Sequence, residues 1–238
     1  MDSHLAEAMT KTRAARRLKA SAPPEKSAPA AIRDAERARE DILAIATEEF
    51  ARKGLAGARV DEIAARTHTV KRMIYYYFGS KEGLYKAVLA RCYDEIRSIE
   101  SAIDIDTLGP EEALRELVRA TFDFHNEHSD FVRLVMNENI HHGEHIAHLP
   151  NIKATNSTVI KMLRKILQRG VEARVFRRNI DPIDLHMSIS ALSFYNVSNR
   201  YTFSHIFEKD MMSPKALQAR RELVVDTIER WCRADKGG

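Results

Sequence analysis

The chain has 238 residues, 44% of them hydrophobic, with 38 Lys and Arg against 34 Asp and Glu for a net charge of +4. That length can bury a good core, as one large domain or as a small domain plus a larger one. No apolar run approaches the roughly 18 residues of a membrane span and no apolar h-region opens the chain, so a soluble, cytoplasmic protein without membrane contact is expected.

In chain order, residues 1–33 come first, with Ser21, Pro23, Pro24 and Pro29 beside the basic cluster Lys11, Arg13, Arg16, Arg17 and Lys19. Such a composition builds no packed core and reads as a flexible basic arm. It either lies in a neighbouring minor groove or is a leader without a role. A first helix follows over 37–54, stopped by Gly54. The next short helix turns Ile63 and Ala64 inward and Asp61, Glu62 and Arg66 outward, with its acidic first turn at the positive end of the helix dipole. Thr67-His68-Thr69 then breaks the apolar pattern, and the Thr69 hydroxyl is placed to cap the following helix.

In that helix Met73 or Ile74, with Tyr77 and Phe78, face inward, which leaves Lys71, Arg72, Tyr75 and Tyr76 outside. Gly79 ends it, and Ser80 caps a longer helix running to about Ala102 on a stripe of Leu84, Val88, Cys92 or Ile96, and Ile99. Asp104–Pro110 is a polar break, and Pro110 opens a fresh helix with Glu111 and Glu112 in its first turn. Helices are then expected over Glu111–His128, Asp130–Ile140, Ile152–Arg169, Pro182–Phe207 and Pro214–Trp231. Strand alternation and internal repeats are absent. Cys92 and Cys232 have no metal or redox spacing and read as core thiols.

The pair of short helices around residues 60–78 has the layout of a helix-turn-helix, whose second helix enters the DNA major groove. Lys71 and Arg72 can reach guanine edges or phosphates. The hydroxyls of Tyr75 and Tyr76 can bond phosphate oxygens, with their rings against sugar or thymine methyl groups. Ser80 with Lys81 offers backbone N–H groups, a dipole and a cation to a phosphate. The charge distribution agrees. Residues 1–91 hold 18 Lys and Arg against 12 Asp and Glu, a net +6, whereas residues 92–238 hold 20 against 22, a net −2. The basic half is the half with the motif, as phosphate neutralisation requires. Double-stranded DNA is therefore the expected partner.

These residues resemble the TetR/AcrR family of one-component transcriptional regulators. The likeness rests on Ala46, Phe50 and Gly54 at spacings of four, the Ile63-Ala64 pair, the Tyr75–Phe78 block, and Ser80-Lys81-Glu82-Gly83-Leu84 at the next helix start. It covers roughly residues 37 to 90. The chain departs from the family in the turn. His68 stands where glycine normally takes a positive φ, a conformation histidine can adopt at some cost. Val70 stands where a serine usually caps, so Thr69 is expected to take over the cap. Arg59 replaces a hydroxyl residue, so a phosphate contact there would come from its guanidinium.

The resemblance implies an all-α protein: an N-terminal three-helix helix-turn-helix domain (34–90) joined by a fourth helix to a larger helical ligand-binding and dimerisation bundle (91–238). It also implies a homodimer, with the last two helices of each subunit forming a four-helix seam. Leu192, Tyr195, Asn199, Leu217, Val224 and Ile228 are the candidate seam residues. Twofold pairing is independently expected of helix-turn-helix proteins on palindromic sites. A pocket for a small, partly apolar organic inducer is expected between bundle helices, with Phe122, His125, Met136, Asn137, Met162, Phe194 and Asn196 as candidate lining, beside Ile140 and Phe176. The expected function is a repressor released by that ligand, without catalysis or a cofactor.

One constellation supports an alternative from another class. His141, His142, His145 and His148 lie within eight residues, near Glu138 and Glu144. On a continuous helix His141, His145 and His148 would share a face suited to a transition metal, as in a helical metal-binding enzyme or sensor. Gly143 and Pro150 argue for a loop instead, and a carboxylate-bridged metal enzyme needs two Glu-x-x-His elements where only Glu138–His141 comes close.

Overall fold

A computed structural model describes residues 30–234, with side chains from residue 33; residues 1–29 of the basic arm, with the Lys11–Lys19 cluster, lie outside the described residues, and residues 30–33 are helical. Among those described there are ten α-helices and no strand, and residues 39–234 belong to one compact unit.

The first helix, α1, spans Ala30–Gly57, so it begins before residue 37; the alanines at 30, 31 and 35 are strong helix formers that the arm's composition had concealed. Gly54 (φ 65°) breaks its regularity near the end. Helices α2 (Val60–Arg66) and α3 (Lys71–Phe78) form the short pair. Helix α4 (Lys81–Ser101) starts at Ser80, whose hydroxyl accepts the Gly83 N–H at 2.9 Å. Its buried positions Leu84, Val88, Cys92, Ile96 and Glu100 recur every four residues; Ile99, expected in that stripe, is exposed and Glu100 takes the inward place.

The bundle continues with α5 (Pro110–Glu127), α6 (Ser129–Ile140), a single 3₁₀ turn at Ile146–His148, and α7 (Ile152–Glu172). Helix α7 runs past Arg169 because Gly170 lets Phe176 fold back on it. A Cβ at Gly170 would stand 2.0 Å from the Phe176 ring. The expected helix over Pro182–Phe207 is two, α8 (Pro182–Ser198) and α9 (Arg200–Phe207). The break falls at Asn199 (φ −112°, ψ 3°), whose amide donates to the Ser198 hydroxyl at 2.8 Å, a local bond that competes with helix continuation. Asp181 caps α8 through the Ile183 and Asp184 amides, and Ser213 caps α10 (Pro214–Cys232).

Two apolar cores result. The first joins Ile42, Phe50, Ile63, Ile74, Leu84 and Val88 to Phe124, Phe131, Leu134 and Val197, so α1–α4 and the bundle share it. The second lies between α5, α7, α8 and α10, around Leu117, Leu163, Ile189 and Val224. Val224 and Ile228, expected at a subunit seam, are fully committed to this second core. Tyr195, Met187 and Leu223 are exposed on α8 and α10 instead. A groove of about 310 Å³ runs beside them, between Tyr195, Phe203 and Leu223.

Candidate functional site

The turn between α2 and α3 has the expected backbone and an unexpected cap. His68 takes φ 51°, in the left-handed region. Thr69 does not cap α3: its backbone N–H donates to Ala64 O at 3.1 Å, and Val70 is the N-cap residue, with no side-chain cap. Valine's side chain has no oxygen to offer, so the first amides of α3 lack a side-chain acceptor among the described residues. Val70 itself is 63% exposed.

On α3, Ile74 is buried, while Met73, Tyr77 and Phe78 are half-buried against the first core. Lys71, Arg72, Tyr75 and Tyr76 face outward, Tyr76 being 77% exposed. Lys71 is paired across the turn, its Nζ 3.0 Å from Asp61 Oδ1; that hydrogen bond raises its pKa. Arg72 makes no ion pair among the described residues. Arg59 is exposed at the start of α2. Lys81 is half-buried and reaches Ala56 O at 3.3 Å, which ties the start of α4 to the end of α1. A Cβ at Gly83 would stand 2.0 Å from Phe78 O, so the first turn of α4 packs on the end of α3 at a distance only glycine permits.

Ion pairs hold this unit at its back. Arg66 pairs with Glu48, and Lys53 pairs with Glu62 and with Glu49 at 2.8 Å. Burial alone would raise the Glu49 pKa, but hydrogen bonds from Lys53 and Arg52 outweigh it and hold the carboxyl below its usual range. The result is an outward face carrying Arg59, Lys71, Arg72, Tyr75 and Tyr76 over a fixed base.

The candidate ligand residues do not form one pocket. Phe122 is in the second core and Met162 packs against it. Met136 is exposed. Asn137 stands at the end of α1, where a Cβ on Gly54 would lie 3.6 Å from its Oδ1. Asn196 is buried and donates to Asn126 Oδ1 at 2.9 Å. His125 and Phe194 do meet, their ring centroids 6.0 Å apart, with Phe131 5.7 Å from His125.

Next to that aromatic group is a cluster absent from the sequence reading. Arg97 and Glu100 of α4 are 7% and 1% exposed. Their Nη1 and Oε2 atoms form an ion pair at 2.8 Å, but among the described residues Arg97 Nε, Arg97 Nη1 and Glu100 Oε2 have no hydrogen-bond partner. Thr121 Oγ1 donates to Glu100 Oε1 at 3.3 Å. His125 Nδ1 lies 2.6 Å from Thr121 O; a carbonyl only accepts, so Nδ1 carries the proton and Nε2 is bare. His186 of α8 lies within the field of Arg97 and His125 and is driven down to about 4, chiefly by burial. Burial likewise lowers His125 and pushes Glu100 up to about 7.

The histidine cluster is a structural loop. Glu138 accepts the backbone N–H groups of His145 and Ile146 at 3.2 and 3.0 Å and contacts His145 Nδ1 at 3.1 Å. His141 Nδ1 donates to Asn137 O, and His145 packs edge-on against Tyr85, which does the same against Phe50. Among the described residues no three metal-ligating side chains converge. The metal-enzyme alternative is set aside on this geometry.

Residues 42–88 match the family described as bacterial regulatory proteins, tetR family, and residues 110–228 match the tetracyclin repressor-like C-terminal domain. The HTH-type transcriptional repressor NicS of Pseudomonas putida is 35% identical over 182 residues, which cover 76% of this chain and 86% of that one. A tetR-family regulatory protein from Rhodococcus RHA1 shares the fold with a TM-score of 0.65 at 21% identity, over 84% of this chain and 99% of that one. The ketosteroid transcriptional regulator KstR2 of Mycobacterium tuberculosis superposes with a TM-score of 0.62 at 21% identity, over 83% and 95% of the two chains.

Proposed function

The chain belongs to the TetR family of transcriptional regulators, and from that premise we propose that it is a homodimeric, cytoplasmic repressor that grips a palindromic operator through α3 and releases it when a small organic ligand enters the bundle. The observation that carries this reading is the outward face of α3. An exposed arginine, a lysine and two exposed tyrosines stand there, beside helix amides with no side-chain acceptor among the described residues.

In this reading Arg72 and Lys71 read base edges, Lys71 exchanging Asp61 for DNA, while Tyr75, Tyr76, Arg59 and Lys81 engage the backbone. Thr69 lies at the same edge and contributes through position alone. Residues 34–90 act as the DNA-binding part and residues 91–238 as the ligand and dimer part. Coupling between them runs through the shared first core, where the Phe50, Tyr85 and His145 rings are in file. A ligand that binds the non-DNA arrangement of α4 better than the DNA arrangement shifts the population by that difference and no more. The exposed Tyr195, Met187 and Leu223 supply apolar surface for the twofold mate.

The test is fluorescence anisotropy against the DNA upstream of the protein's own gene, with random duplex as competitor, at two salt concentrations. Tight binding that survives competitor is expected, with a salt slope set by the phosphate contacts. Absence of DNA binding at both salts would overturn the proposal.

A further inference from the structure

The two apolar cores do not merge. Along α4, α5 and α8 the side chains of the first core give way to those of the second through a polar layer at Arg97, Glu100, Thr121, His125 and His186. Burying a guanidinium and leaving its Nε and Nη1 donors unbonded carries a penalty that a merely structural layer would avoid. Glu100 offsets only part of it: its Oε2 is 2.8 Å from Nη1, an ion pair, but neither atom makes a hydrogen bond among the described residues. The layer therefore offers donors on Arg97, an acceptor on Glu100, and the bare Nε2 of His125, beside the aromatic wall of Phe131 and Phe194.

We infer that this layer is the recognition centre of the effector site, and that the effector is a small carboxylic acid with a flat apolar body, its carboxylate held by Arg97. The inference rests on the ligand-responsive reading above and supplies the chemical class which that reading leaves open. A carboxylate is the acceptor that best satisfies a buried guanidinium. A second anion beside Glu100 is tolerated because burial already holds Glu100 near neutrality, so it takes up a proton instead of repelling the ligand. The other ionisable groups near it are Tyr93 of α4, His125 of α5 and His186 of α8, and burial disfavours the charged form of each. His186, only partly buried, is the member of the layer nearest solvent. Arg97 and Glu100 lie on α4, whose other end packs on α3, so a guest that parts the two cores there acts on the helix that positions the DNA-reading face.

The experiment is calorimetric titration of the full-length protein, without DNA, against benzoate, phenylacetate and cyclohexanecarboxylate, each paired with its carboxamide. At least one acid is expected to bind ten-fold or more tightly than its amide. Arg97→Met should weaken that acid by about ten-fold or more, the scale of a charge-assisted hydrogen bond, and Arg97→Lys by less. Glu100→Gln, which frees the guanidinium from its own carboxylate, should tighten it. Because that effect has the opposite sign, it cannot arise from a misfolded Arg97 variant. Equal binding of acids and amides, no binding of any acid, or weaker acid binding by Glu100→Gln would overturn the inference. A protein that binds its operator but ignores acids loses only this inference, whereas one that binds an acid but never DNA loses the regulator reading.

Discussion

The face of α3 and the polar layer between the cores both concentrate charge, under opposite conditions. On α3, Lys71 and Arg72 stand in water, where Lys71 has an acid partner and either pairing or solvation is inexpensive. In the layer, Arg97 and Glu100 are withdrawn from water and only partly paired. A surface charge can be exchanged for a phosphate at little cost to the fold. A buried one is coupled to the fold, so whatever satisfies it also shifts the elements that carry it. The first arrangement suits an interface that must come and go, the second a switch.

The sharpest way to break this contrast is truncation of Arg97. Arg97→Ala leaves a cavity between the cores, with Glu100 free to take up a proton, and should destabilise the protein by roughly 2–5 kcal/mol in chemical denaturation. A change below about 0.5 kcal/mol would mean that the layer is already hydrated and the contrast is false. Next in size is Gly83→Ala, whose methyl group must push α4 away from Phe78 O. About 1–3 kcal/mol of stability should be lost, and operator affinity should fall with it, since the α3–α4 angle changes.

On the exposed side the stability effects vanish and the DNA effects remain. Arg72→Ala should leave the unfolding midpoint unchanged while costing about 1–3 kcal/mol of operator affinity and blurring sequence preference. Tyr75→Ala should weaken specific and random duplex alike. Equal losses on both DNAs for Arg72→Ala would remove its base-reading role.

The smallest effect is a slope in pH. The Glu100 pKa is raised from an ordinary 4.5 to about 7, so its contribution to stability is complete below 4.5 and fades as pH rises to 7. His186 is lowered from 6.5 to about 4, so its contribution is complete above 6.5 and fades as pH falls to 4. The two oppose each other between 4.5 and 6.5. Glu100→Gln removes the first, and the variant's stability should climb more steeply with pH across that window than the parent's. Parallel curves would show that Glu100 titrates as a solvated acid.

The same contrast explains what was legible in the sequence. The helical fold, the short helix pair, the Ser80 cap and the left-handed His68 are local features, written in spacing and side-chain chemistry over a few residues. Thr69 is not the cap because α3 starts one residue later than its hydroxyl suggests: Val70 holds the N-cap position and Thr69 stands just before it, its amide bonded to Ala64 O. The helix break at Asn199 is hidden because Ser198-Asn199-Arg200 has no glycine or proline to mark a stop. Residue type alone suggests a pocket for Met136 and Asn137, yet one faces solvent and the other meets Gly54. Arg97 and Glu100 carry no such signal, because charged residues on a helix are by default solvated. The only trace was the spacing of Leu84, Val88, Cys92 and Ile96, which projects onto Glu100 and not onto Ile99.

The first core draws mainly from α1 to α4, and its remaining wall includes Phe124, Phe131, Leu134 and Leu149 of the bundle. The DNA-reading end is therefore not a detachable module. A fragment cut near residue 90 would expose one wall of its own interior. A chimera joining this end to another bundle would need matching side chains at those four positions before it could fold at all. Exchange of operator specificity is thus easier by substitution on the outer face of α3 than by transplanting the whole end, and the chain should melt in a single cooperative transition.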